Sequence, residues 1–148
     1  MNCKLLIATL CAALLAGCGE GARQAQTQDK GVRQYDRNML ARGERVFLTN
    51  CAGCHGNSGE WKPGWQKPGP DGLLLPPPLD NSGRVWRLSS SQMKQFVHQG
   101  SPAGRSNMPA WQGKLTEQEI DEVVVWITSL WSDQVYLDWK LKTEQNAQ

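Results

Sequence analysis

The chain has 148 residues, the length of one ordinary domain. Sixteen Lys and Arg against fourteen Asp and Glu leave a net charge of +2, which excludes a polybasic nucleic-acid footprint and an acidic tail. Hydrophobic residues make up only 39%, while seven Trp, eight Pro and fifteen Gly point to aromatic packing, long connections and a core that draws on more than side chains.

Residues 1–17 read as a secretory leader, with Lys4 as the positive end and an apolar run over 5–15. That run is shorter than the roughly 20 residues a bilayer span needs. Leu14-Leu15-Ala16-Gly17-Cys18 resembles the lipobox of bacterial lipoproteins, where cleavage precedes a Cys that is then acylated. The resemblance implies an exported protein, lipid-anchored through Cys18 to a bacterial membrane, with its domain in the periplasm or on the outer face of the cytoplasmic membrane. An ordinary leader with an incidental Cys is the alternative. Residues 18–35 hold too few apolar side chains to offset the entropy of ordering, and read as a flexible tether.

Asp36 is a candidate N-cap, and Met39, Leu40, Gly43, Val46 and Phe47 mark one face of a helix reaching Asn50. Residues 56–87 show no sustained period and contain six prolines, a stretch too long to be structureless unless it wraps something. Ser89 with Gln92 has capping-box spacing, Met93, Phe96 and Val97 form a face, and Gly100 stops that helix. After a loop containing Met108-Pro109, Thr116 and Glu119 repeat the capping box, with Leu115 and Ile120 as its staple. Ile120, Val123, Val124, Ile127, Leu130 and Trp131 then recur at helical spacing through Trp131. Val135, Tyr136 and Trp139 suggest one more short helix. With no convincing strand pair, the class is all-α, with a domain over 36–132 and an extension over 133–148.

Cys51-Ala52-Gly53-Cys54-His55 is C-x-x-C-H, the attachment pattern of c-type haem. Two thiols one turn apart can each add to a vinyl group on one porphyrin edge, and the next residue offers an imidazole to the iron. A zinc site would need about four ligands, and once the leader is removed and Cys18 is acylated, only the distant His98 is left beside these three. A thioredoxin-like pair would follow a strand, and a disulfide across two residues closes too short a loop to stabilise much.

On these residues the chain resembles the class I c-type cytochromes, from about Asp36 to Trp131. Gly43-x-x-x-Phe47-x-x-x-Cys51 is similar to their first helix leading into the haem motif, and Val125-Trp126-Ile127 to the aromatic stretch of their last helix. The resemblance implies a cytochrome c fold in which these helices cross, Gly43 against Trp126, around one covalently bound haem c. Met108-Pro109-Ala110-Trp111 resembles the loop that carries the second axial ligand. Pro76-Pro77-Pro78-Leu79 resembles the segment whose proline carbonyl accepts the imidazole N–H; Pro78 is favoured, with a plain spacer as the alternative. The long loop after His55 and the tail after Trp131 depart from the smallest members.

His55 and Met108 are therefore the expected axial ligands. Met39 and Met93 sit on apolar helix faces and read as core. At about 100° per residue, His98 falls about 140° from Met93, away from the apolar face and toward solvent. Met108 lies in a loop, where packing asks for no Met, and Pro109 holds it extended. Arg84, Trp86 and Arg87 are candidate donors to the haem propionates, a solvated basic turn being the equal alternative. Trp61, Trp65 and Trp111 are expected to pack in the pocket or its loops.

An iron ligated from both sides passes one electron and has no position for a small-molecule substrate. The expected role is a membrane-tethered electron carrier, not itself an enzyme. Its partners would be redox proteins, among them membrane respiratory complexes. A fixed cytochrome subunit of a larger oxidoreductase is the alternative, and a ligand-binding sensor with an open distal site a further one.

Overall fold

The computed structural model describes residues 33–60 and 63–147. Asp36 opens α1, Arg37–Asn50, by accepting the Met39 amide at 2.7 Å, and the expected face buries Gly43, Val46 and Phe47. A single turn, α2, Ala52–His55, follows without a break. α3, Ser90–Gln99, and α4, Glu117–Ser129, both start on the capping boxes read from sequence. Among the described residues there are no strands, only isolated bridges. The described domain is all-α, as expected from the sequence.

The last long helix ends at Ser129 and not at Trp131 as expected. Thr128 and Ser129 turn their hydroxyls back onto the carbonyls of Val125 and Trp126, and Ser132 then caps a separate helix, α5, Asp133–Trp139. Such local side-chain bonds compete with helix continuation.

α1 crosses α4 at Gly43. A Cβ there would lie 2.1 Å from the Glu122 carbonyl oxygen and 2.9 Å from the Trp126 Cβ, so only glycine lets the helices meet. One turn further on, the Phe47 and Trp126 rings stack at 4.3 Å between centroids. Beside the crossing, buried Glu122 accepts from Gln118 at 2.9 Å and from Arg42 at 2.6 Å. These donors, Gln118 first, hold its carboxyl below the ordinary range. That contribution is complete above the unfolded pKa of a glutamate and is lost as pH falls through the lower folded value.

The extension after Trp131 joins the same core. Trp139 is buried against Trp131 with ring centroids 5.3 Å apart, and the two indoles donate to Leu88 O and Leu79 O, each at 2.8 Å. A π-helical turn, Lys140–Glu144, brings the Glu144 carboxylate onto the first turn of α3, where it takes the Ser90 amide at 2.8 Å and the Ser90 hydroxyl.

Arg33 and Tyr35, at the end of the segment expected as a tether over 18–35, make long-range contacts. Arg33 pairs with Asp133 at 2.7 Å and lies over the Tyr136 ring, and the Tyr35 hydroxyl bonds to that of Thr128 at 3.1 Å. Partners on α4 and α5, remote in sequence, are what order these residues. The leader, Cys18 and the rest of the tether lie outside the described residues, as does Trp61. No helix among the described residues is long and apolar enough to cross a membrane.

Gly43→Ala tests the crossing. Alanine is the better helix former by about 1 kcal/mol, yet overpacking at a closed contact costs about 1–3 kcal/mol. Thermal unfolding should show a lowered melting temperature; an unchanged or raised one would mean that the helices do not close at this residue.

Candidate cofactor site

A cavity of about 920 Å³ opens between α1, α3, α4 and the long loop, walled by apolar side chains such as Phe47, Leu79, Val97, Val123 and Ile127. That is near the upper end of ordinary ligand pockets. Leu74 and Phe96, 40% and 42% exposed, also line it, so their exposed apolar surface belongs to the cavity.

Cys51 and His55 line one wall. The turn of α2 closes through Cys54 and His55 amides donating to Cys51 O at 3.1 and 3.0 Å, which keeps both thiols and the imidazole on one helical turn. His55 Nδ1 lies 3.0 Å from Pro77 O. A carbonyl can only accept, so Nδ1 carries the proton and Nε2 keeps its lone pair for a metal. Burial pushes the Cys51 thiol up to about 11, with nearby Cys54 adding to it. Activated C-x-x-C redox pairs have the opposite shift.

The imidazole acceptor is Pro77, not the expected Pro78. Pro78 is buried, and its carbonyl oxygen is turned under Gly83, where a Cβ would come within 1.9 Å of it. That approach leaves the preceding carbonyl to face His55.

Met108 reaches the cavity from the loop between α3 and α4. Its carbonyl accepts the Ser101 amide at 3.0 Å, and Gly100, at φ +71°, lets the segment pass where a Cβ would stand 2.7 Å from Met108 O. Met93 also lines the cavity, from the buried face of α3. Met39 is absent from the lining. His98 is absent from it too, on the far side of α3 as its angle required; there it pairs with Glu117 at 3.1 Å and is not simply solvated.

Of the three candidate propionate donors, Arg84 and Arg87 line the cavity and Trp86 does not. The Trp86 indole is committed to Gly83 O at 3.0 Å and carries the Arg87 guanidinium over its ring at 5.2 Å. Trp65 lines the cavity as expected, whereas Trp111 sits outside it with Lys114 over its ring. Gln66 and Arg105 also line it and are not among the residues expected from sequence; for Arg105 the nearness to Met108, three residues on, is a usable signal.

This lining fits haem c. It is large and apolar, offers the Cys51 thiol beside an imidazole whose proton is already placed, brings the thioethers of Met93 and Met108, and carries three arginines for two carboxylates; Cys54, exposed, shares the turn but is not in the lining. Among the described residues no group of three or more His, Cys, Asp or Glu is arranged to hold a bare metal ion. The iron of a porphyrin needs only two protein ligands.

Helices crossing over a C-x-x-C-H turn, with a cavity of this lining, define a monohaem class I c-type cytochrome. The chain belongs to the family described as cytochrome c oxidase, cbb3-type, subunit III, which it matches over residues 38–127. It is similar to the cbb3-type cytochrome c oxidase subunit FixP of Bradyrhizobium diazoefficiens, 31% identical over 90 residues, which are 61% of this chain and 27% of that one. Similar again are subunit CcoP of an Azospirillum species, 30% identical over 95 residues (64% of this chain, 30% of that one), and cytochrome c6 of Euglena viridis, 31% identical over 88 residues (59% and 87%). The chain thus spans 27% of FixP but most of the Euglena viridis cytochrome. The cofactor of this family is covalently attached haem c, and the chain is an electron carrier of the c type.

Proposed function

We propose that the chain is a one-electron carrier of a bacterial respiratory chain, held at the membrane by a lipid on Cys18. Cys51 and Cys54 bind haem c as thioethers, and His55 and Met108 are the axial ligands. When bound, haem c supplies one reversible electron at its iron. The observation that carries this reading is that His55, with its Nδ1 proton committed to Pro77, and the Met108 thioether line one apolar cavity. Two side chains committed to one iron leave no position for a substrate, and a thioether favours the ferrous form and raises the potential.

Met108 is preferred to Met93 because Met93, 3% exposed, is packed among the core side chains of α3, while Met108 is loop-borne and half-buried. Arg84, Arg87 and Arg105 are assigned to the propionates. A lipid on Cys18 would keep the carrier beside its donors and acceptors without a membrane-spanning helix.

A second reading makes the chain a fixed subunit of a cbb3-type oxidase. It is favoured by the similarity to FixP and CcoP, whose names place them in that assembly. Co-purification of the chain with oxidase subunits from detergent-solubilised membranes would favour the second reading, and its recovery alone the first.

A thioether on ferric iron should give the oxidised protein a weak red absorption; Met108→Ala should abolish it, admit cyanide or carbon monoxide, and lower the reduction potential. Met93→Leu and His98→Ala should leave the spectrum as it is. A silent Met108→Ala with a changed spectrum in either of the others would reassign the ligand.

Cys18→Ala should move the haem-loaded protein from the membrane fraction to the soluble periplasmic fraction. A variant that still sediments with membranes and needs detergent would remove the lipid anchor from the reading.

A further inference from the structure

The segment that carries Met108 is held from two sides. On one side it rests on the residues just past α3, Gly100 and Ser101. On the other it meets a tight turn of the long loop. That turn closes on itself: Gly69 N–H donates to Leu73 O at 2.8 Å, Gly72 N–H to Gly69 O at 3.0 Å, and Pro68 faces Leu74 across an antiparallel bridge. Leu74 then donates to Arg105 O at 2.9 Å and lies parallel to Ser106, while Asn107 Nδ2 donates to Asp71 Oδ2 at 3.1 Å.

Asp71 joins the two halves of this contact. Its Oδ1 accepts the Leu73 amide at 3.0 Å and shapes the turn; its Oδ2 takes the residue next to Met108. Leu74 and Leu75 line the cavity, so one turn both forms a wall and grips the methionine segment. An amide donating to a carboxylate is stronger than a neutral pair, and the adjoining Leu74–Arg105 bond fixes its register.

We propose that the turn at 68–74 is a latch on the methionine segment, and that Asp71 is the positioning residue that holds Met108 over the cavity through Asn107. The proposal rests on the reading of Met108 as an iron ligand. Asp71 and Asn107 are both exposed, so opening the latch should loosen that segment and leave the helical core intact.

The test uses the haem-loaded, oxidised protein with imidazole as the competing ligand. Asn107→Asp sets two carboxylates against each other, and imidazole affinity should rise about three- to tenfold as the thioether is displaced more easily. Asp71→Asn added to it restores a donor and an acceptor in reversed order, with an oxygen still available to Leu73, and affinity should return to within about twofold of the parent. Thermal unfolding should separate the single from the double variant far less than imidazole binding does. In a Met108→Ala background, Asn107→Asp should add nothing. An unchanged affinity in the single variant, a double variant as open as the single, or an effect that survives in Met108→Ala would each overturn the latch while leaving the ligand assignment standing. If Met108→Ala itself changed neither the red absorption nor imidazole binding, the assignment would fall and the latch with it.

Discussion

The close contact of α1 and α4 at Gly43 is the constraint on which the rest of the molecule depends. It brings Phe47 against Trp126 and sets the spacing of the wall formed by Phe47, Val123, Val124 and Ile127. From this contact α1 runs on to Asn50, and Cys51, at its end, begins the turn that carries both thiols and the imidazole. A few tenths of an ångström added at Gly43 would be passed directly to the cavity, because packed interiors transmit strain.

The chemistry itself sits on irregular chain, and glycines place it. Gly83, lacking a Cβ, leaves room for the Pro78 carbonyl, while the Pro77 carbonyl orients His55; Gly100 gives passage to Met108. The tryptophans anchor these loops from behind. Trp131 and Trp139 each donate to the carbonyl of a cavity-lining residue, Leu79 and Leu88, so the C-terminal extension supports the cavity from its outer side. A chain with few aliphatic side chains thus spends its aromatic residues on holding backbone around a space that side chains do not fill.

What was legible in the sequence was short-range. The capping boxes at Ser89 and Thr116 and the buried face of α1 depend on neighbours within four residues, and all form as read. The C-x-x-C-H turn and the likeness to class I cytochromes supplied the fold and the approach of Gly43 to Trp126. The choice between Pro77 and Pro78 was not legible, because identical residues are distinguished only by Gly83 folding back on one of them. Trp86 and Arg105 exchanged places with respect to the cavity for a similar reason, since loops have no period from which a facing direction can be counted. The pairing of Glu144 with Ser90, 54 residues apart, and the docking of Arg33 and Tyr35 are long-range, and local pattern carries no sign of them.

The central claim is that covalently bound haem c completes the core of this domain. Its most direct test is the Cys51→Ser, Cys54→Ser double variant, purified and compared with the parent by haem staining after denaturing electrophoresis and by far-ultraviolet circular dichroism. The account expects no haem band, together with loss of the helical signal and of cooperative melting. A haem band of full strength, or a haem-free variant that keeps the parent's helicity and melts cooperatively, would contradict it.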